Sequence, residues 1–132
     1  FGAIWMVELD GSAVRNGSGR SPLTLGQDRE PAIGQHWRIT LDCSGHGPGL
    51  ALVGGYARPR APLRTSLGEL LVDLSRPRLM HLVEAHSGTS VSFLPRVPND
   101  PALIGLPAYL QGICSGAPGA QLSNALDVII GR

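Results

Sequence analysis

The strongest hydrophobic pattern in this chain is a strict alternation over residues 36–43. Trp37, Ile39, Leu41 and Cys43 are apolar, and the residues between them are polar or charged. Successive side chains of a β-strand point to opposite faces, so this alternation predicts a strand with one buried and one solvated face.

The C-terminal residues also alternate and predict a second strand. One of its faces carries Leu122, Leu126, Val128 and Ile130. Five weaker strand candidates lie at residues 50–54, 69–74, 79–84, 89–94 and 108–114. Turn signals rich in Gly, Pro and Ser separate them, at residues 45–49, 58–62, 75–77, 87–88, 98–101 and 116–119.

Short strands at fairly even spacing, without a convincing amphipathic helix, are typical of an all-β protein. We expect an antiparallel β-sandwich of the Ig-like or jelly-roll type, because the Pro-rich connections suit crossovers between two sheets better than they suit a barrel. The strand order does not follow from the sequence.

The N-terminal residues differ from these strands because they are apolar on both faces. Trp5, Val7 and Leu9 share one face, and Ile4 and Met6 share the other. A strand on the outside of a sandwich is polar on one side, so this one needs cover on both.

We therefore divide the chain into an N-terminal extension strand (residues 1–11), a Gly/Ser-rich linker (12–21) and a β-sandwich domain (22–132). Two interpretations of the extension strand remain open. It folds back as a strand of its own domain, or it is donated to a neighbouring copy, where it satisfies an open sheet edge. Donation repeated head to tail builds an open filament.

Composition fits a single globular domain. The chain has 132 residues, of which 42% are hydrophobic and 16% are charged, and this excludes a disordered tail. A net charge of +1 and few aromatic residues argue against nucleic acid as the main partner. No apolar run is long enough for a membrane span. The chain begins at Phe1, so we expect a processed protein or a fragment.

Two cysteines, Cys43 and Cys114, each end an apolar segment and are followed by Ser-Gly. This symmetry favours a disulfide between neighbouring strand ends, which indicates an oxidising, extracytoplasmic location. The alternative is a pair of buried free thiols.

Several segments resemble, in their order, a C-terminal module of large secreted bacterial proteins of unassigned function. The strongest are residues 97–106 (VPNDPALIGL) and 122–127 (LSNALD), supported by residues 15–19, 31–34, 42–49 and 68–73. The resemblance implies export and a β-rich module without catalytic residues. Residues 1–11 resemble the Trp-containing strand that ends an FG-GAP-type repeat, although one such strand cannot form a propeller.

Candidate catalytic and metal-binding residues are few. We expect His36 to be a surface residue and His46 a solvated turn residue. We expect His81 to be half-buried and hydrogen-bonded. Asp42, Cys43 and His46 lack the second ligand pair of a structural zinc site. No nucleophile elbow or phosphate loop is present. We therefore expect neither a catalytic site nor a metal or cofactor. The sequon at Asn16 is too common a tripeptide to weigh.

An arginine-rich segment offers the best candidate ligand contacts. Five arginines lie within residues 58–78, and the neighbouring Tyr56 is the most available aromatic side chain. Tyr56, Arg58 and Arg60 are therefore the candidate contacts for an anionic polysaccharide.

The sequence thus predicts a secreted, non-enzymatic structural subunit, extracellular or on the cell surface. It would self-assemble into a filament or surface layer by donating its N-terminal strand. The alternative is a monomeric extracellular module that binds a surface glycan or acts in sorting.

Overall fold

The computed structural model describes residues 12–19 and 21–132, and this part of the chain is almost entirely β. Its strands are β1 (Ser12–Arg15), β2 (Leu25–Gln27), β3 (Ile39–Asp42), β4 (Gly49–Tyr56), β5 (Pro59–Thr65), β6 (Gly68–Val72), β7 (Arg78–His86), β8 (Ser90–Phe93), β9 (Pro107–Cys114) and β10 (Gln121–Ile129). One turn of 3₁₀ helix, Pro101–Leu103, precedes β9.

Two antiparallel sheets pack face to face, which confirms the predicted sandwich. The larger sheet has the order β1-β10-β9-β4-β7, and the smaller has the order β2-β3-β8. Strands β5 and β6 form a separate hairpin that contacts β9 and β10. Its buried residues Leu71 and Val72 do not belong to the core between the sheets, so the hairpin covers the outer face of the larger sheet.

The core is built from the alternation that the sequence predicts. Ile39, Leu41 and Cys43 are fully buried, and Trp37 is nearly so. From the larger sheet, Ala51, Val53, Leu110, Leu126 and Val128 face them. Burying one large aliphatic side chain stabilises the fold by about 1.5–3 kcal/mol, so this layer is the main favourable contribution to folding.

Strands β9 and β3 approach each other closely at Gly112. A Cβ atom at this position would lie 2.9 Å from Cδ1 of Leu41, closer than real side chains allow. Glycine here lets the two sheets pack without a gap.

A disulfide joins the sheets beside this contact. Cys43 follows β3 and Cys114 ends β9, with an S–S distance of 2.08 Å and Cα atoms 5.5 Å apart. The predicted disulfide is therefore confirmed, and the alternative of free thiols is wrong.

The weaker strand candidates all form strands, but other expectations need correction. Residues 58–62 were expected as a turn, whereas Pro59–Thr65 is strand β5, paired with β6. All of its residues are exposed, so it has no hydrophobic alternation that would reveal it. Strand β2 has only three residues and no pattern of its own.

The expected linker is also partly ordered as a strand. Ser12–Arg15 is β1, which pairs with β10 through Ser12↔Val128 and Arg15↔Ala125. Its small polar composition indicates flexibility, but backbone pairing with β10 overrides that preference. The predicted extension strand, with Ile4, Trp5, Met6, Val7 and Leu9, lies outside the described residues.

The C-terminal strand departs from its predicted alternation at one point. The register of β10 against β9 shifts between Leu122 and Ala125. Leu126 and Val128 therefore face the core, whereas Leu122 lies on the outer face of the sheet, beside Ile113. A bulge adds a residue to one strand and reverses the faces beyond it.

Replacing both cysteines by alanine should lower the free energy of unfolding by about 3–5 kcal/mol, because the disulfide closes a loop of 71 residues. Urea denaturation of the wild-type protein and the double variant measures this difference. Adding a reductant should shift only the wild-type curve, to the position of the variant. Equal denaturation midpoints without reductant would contradict the prediction.

Candidate functional site

Strand β7 forms one edge of the larger sheet. In the described part of the chain it pairs with β4 alone, over Gly49↔His86 to Tyr56↔Arg78. At nine residues it is longer than the other strands that end a sheet, which are β1, β2, β8 and the hairpin strands β5 and β6. An open edge strand presents unpaired N–H and C=O groups that can pair with another strand.

The hydrogen-bond pattern shows which backbone groups of β7 are open. The N–H and C=O of Leu50 bond to Ser115 on the β9 side, at 2.8 and 2.9 Å. Because neighbouring residues of a strand bond in opposite directions, Ala51 faces β7 and bonds its partner Glu84. The backbone groups of His81, Val83 and Ala85 therefore point away from β4.

Apolar side chains lie on both faces of this edge. Met80 and Leu82 pack against the core between the sheets. Leu79 and Val83 are 53% and 47% exposed, and Leu50 on β4 is 46% exposed. Exposed apolar side chains at a sheet edge favour an interaction surface, although the exposed residue between Leu79 and Val83 is the polar His81.

A cleft of about 210 Å³ lies next to this edge, between the β5–β6 hairpin and the outer face of the larger sheet. Its apolar walls are Leu52, Leu70, Val72, Leu74, Ile113 and Leu122. Tyr56, Arg78 and His81 also line it, so the cleft combines one aromatic ring with two basic side chains on an apolar surface.

The predicted ligand contacts are only partly brought together. Tyr56 lines the cleft, and its ring lies over Gly54, where a Cβ atom would be 2.9 Å from Cε2 of the ring. Arg58 and Arg60 are exposed and do not line the cleft. The basic residues beside Tyr56 are Arg78 and His81, which only the β4–β7 register identifies.

Gln111, which is buried, holds the hairpin against the sheet. Its Oε1 accepts a hydrogen bond from the N–H of Leu71 at 2.9 Å. Its Nε2 donates to the carbonyls of Glu69 and Ser123, both at 2.7 Å. The amide side chain therefore pairs with β6 as a neighbouring strand would, and it forms the floor of the cleft.

Asn124, also buried, makes a similar connection to the smaller sheet. Its Oδ1 accepts from the N–H of Leu25 at 2.9 Å, and its Nδ2 donates to the carbonyl of Leu25 at 3.0 Å. The open N–H and C=O of Leu25 on β2 are thereby satisfied, so this part of the sheet edge is closed from within the chain.

Arg15 ties β1 to the hairpin. Its guanidinium forms an ion pair with Asp127 at 2.8 Å and donates to the carbonyl of Leu71 at 2.8 Å. The carboxylate of Glu69 accepts hydrogen bonds from the N–H and the hydroxyl of Ser18, at 3.0 and 2.7 Å. These contacts hold residues 15–18 against the sandwich, so this part of the expected linker is not free.

Two Asp-x-Ser turns follow β3 and β6. The pKa of Asp42 is lowered by hydrogen bonds from the hydroxyl and N–H of Ser44, with a smaller contribution from Ser90. The pKa of Asp73 is lowered by the hydroxyl and N–H of Ser75, and further by the charge of Arg76. The second turn also positions Leu74 at the cleft.

The histidines differ in burial and in their hydrogen-bond partners. His86 is buried and bonds through Nε2 to the Ser115 carbonyl and through Nδ1 to the N–H of Gly88, whereas Nδ1 of His46 lies 3.4 Å from the Gly116 carbonyl. His81 is exposed, so the expectation of a half-buried residue is wrong. Within residues 12–19 and 21–132, no group of three or more His, Cys, Asp or Glu side chains could hold a metal ion.

The sequon residue Asn16 uses its amide within the fold. Its Nδ2 donates to the Ser21 carbonyl at 2.6 Å. A glycan attached at this nitrogen would disturb that bond. No helix among the described residues is long and apolar enough to cross a membrane.

Comparison of the chain with protein-family models, with curated proteins and with solved structures finds no match. The fold and the geometry of the edge and cleft are therefore the basis for a functional conclusion.

Replacing Gln111 by leucine should lower the free energy of unfolding by about 1–3 kcal/mol for each buried group that loses its partner. These groups are an N–H and a C=O of β6 and a C=O of β10. Amide hydrogen exchange should also become faster in residues 68–72. Gln121→Leu is the matched control, since Gln121 is exposed. Equal stability of the two variants would contradict this role of Gln111.

Replacing Ser75 by alanine should raise the pKa of Asp73 toward its ordinary value, because the variant loses the hydroxyl donor 2.6 Å from Oδ1. A lowered folded-state pKa stabilises the fold above the ordinary carboxyl pKa, and this contribution is lost as the pH falls through the lowered value. An NMR titration of the carboxyl groups measures the change. Asp42 serves as the internal control, and an unchanged Asp73 pKa would contradict the assignment.

Proposed function

We propose that this protein is a secreted, non-enzymatic structural subunit. It self-assembles into an extracellular filament or surface layer, with residues 4–9 of one copy inserted as a strand into the sheet of the next. The observation that supports this most strongly is the long open edge of the larger sheet, which carries apolar side chains on both faces.

The position of β1 also supports the proposal. Ser12, which begins β1, lies at the opposite edge of the same sheet from β7. The segment before Ser12 is therefore joined to the domain at one edge of this sheet, while an open edge lies at the other. This arrangement suits head-to-tail addition of copies, which extends without closing into a ring.

The disulfide supports an extracellular location for the assembly. Disulfides persist in oxidising environments such as the cell exterior. The resemblance of the chain to modules of secreted bacterial proteins implies the same location. A covalent link between the two sheets would also help a subunit to keep its fold under mechanical load or dilution outside the cell.

The cleft supports a second candidate function, a monomeric module that binds an anionic glycan. Tyr56 offers a ring surface, and Arg78 offers a guanidinium that makes no ion pair with any described residue. Replacing Tyr56 or Arg78 would then abolish glycan affinity and leave the protein monomeric. The open edge has no role in this second function, so we place it after self-assembly.

Deleting residues 1–11 should convert the assembled protein to single chains, because the deletion removes the donated strand. Light scattering and negative-stain imaging measure particle size, and circular dichroism checks that the variant remains β. A milder variant, Trp5→Asp with Val7→Asp, should have the same effect. Asp10→Asn, which lies outside residues 4–9, is the control and should assemble normally. Assembly of the deletion variant with unchanged subunit spacing would overturn strand donation.

A further inference from the structure

We propose that the acceptor of the donated strand is the outer edge of β7, over residues 79–85 of a neighbouring copy. This inference rests on the proposed self-assembly and adds the surface on which it takes place. The two packed sheets have four end strands and the hairpin adds the free edge of β5, and their geometry distinguishes β7 from the others.

The other edges are closed, short, polar or interrupted by proline. Strand β5 of the hairpin contains Pro59 and Pro62, which lack the N–H that an added strand would need. The amide of Asn124 already occupies the open backbone groups of Leu25 on β2, a strand of only three residues. Strand β8 has four residues, and its outward groups belong to Ser90 and Ser92, both exposed and polar. Strand β1 has four residues and is the strand that the donor segment itself precedes in the chain.

The outward groups of β8 follow from its partner strand. The N–H of Asp42 bonds to the Thr24 carbonyl on the β2 side, at 2.9 Å. Thr40 therefore also faces β2, and its partner Ser92 directs its backbone away from β3. The N–H of Ser92 therefore points away from its partner strand, as the N–H of Val83 does.

Residues 4–9 match β7 in length and in the chemistry of both faces. The open groups of His81, Val83 and Ala85 form a ladder that a strand of about six residues would fill. On one face the added strand would lie beside Met80 and Leu82, at the margin of the core. On the other it would lie beside exposed Val83, while exposed Leu79 lies at the register shift between Met80 and Arg78. Five of the six residues at 4–9 are apolar, with Glu8 as the exception, and the edge of β7 has two polar side chains of its own, His81 and Glu84.

If β7 is the acceptor, the donor must come from another copy. Strands β1 and β7 are four strand spacings apart, or about 19 Å. The chain from residue 9 to residue 12 spans at most about 11 Å. Residues 4–9 therefore cannot lie along β7 of their own chain while Ser12 stays in β1.

A proline at Val83 tests the acceptor directly. It removes an N–H that faces away from β4, so the variant keeps its own ladder, as proline does on edge strands. Val83→Pro in the full-length chain should abolish particles larger than one chain in light scattering. Ser92→Pro, which removes the matching open N–H of β8, should assemble like the wild type.

A second variant distinguishes a loss of assembly from a folding defect. Val83→Lys keeps the backbone N–H but places a charge among the exposed apolar side chains of the edge. It should weaken assembly at least tenfold in the protein concentration required, with an unchanged circular dichroism spectrum. Both variants and the chain that lacks residues 1–11 are measured side by side.

The outcomes separate the two proposals. If the deletion abolishes assembly and both Val83 variants still assemble, donation stands and β7 is not the acceptor. Loss of assembly in Ser92→Pro alone would place the acceptor on β8. If the Val83 variants fail to assemble but the deletion assembles, two β7 strands pair with each other, and the proposed donation is wrong.

Discussion

Two buried amide side chains, Gln111 on β9 and Asn124 on β10, connect the separate sheets of this protein. Each offers a carbonyl oxygen and an N–H₂ group in the spacing of a peptide backbone. Gln111 bonds the N–H of Leu71 and the carbonyl of Glu69, and Asn124 bonds the N–H and carbonyl of Leu25. Through these contacts the hairpin and the smaller sheet attach to the larger one without a continuous ladder. The open groups of His81, Val83 and Ala85 on β7 are exposed instead, so water or an added strand can bond to them.

Much of the core was predictable from the chain, and the reason is physical. Trp37, Ile39, Leu41 and Cys43 are buried because one face of β3 and the residues flanking it meet the larger sheet, and such a strand carries a period of two. The disulfide was predictable because both cysteines end apolar strands. Leu122 was predicted wrongly because a bulge changes the face of a strand without changing its composition.

The candidate site was harder to predict, since it depends on which strands are neighbours. Leu79 and Val83 look in sequence like any other apolar strand residues, and only the sheet order shows that their strand is an edge. Arg58 and Arg60 are close to Tyr56 along the chain, but the β4–β7 register brings Arg78 and His81 to the cleft instead. Gln111 and Asn124 carry no signal in a single sequence, because a buried amide and a solvated one are the same residue type.

Amide hydrogen exchange along β7 tests the central claim most directly. In a single chain, the amides of His81, Val83 and Ala85 have no strand beside them and should exchange quickly. In the assembled full-length protein, we expect these three amides to be strongly protected. In the chain that lacks residues 1–11, we expect them to exchange quickly, while the amides of Leu82 and Glu84 stay protected by β4 in both. Fast exchange at His81, Val83 and Ala85 in the assembled protein would contradict the account.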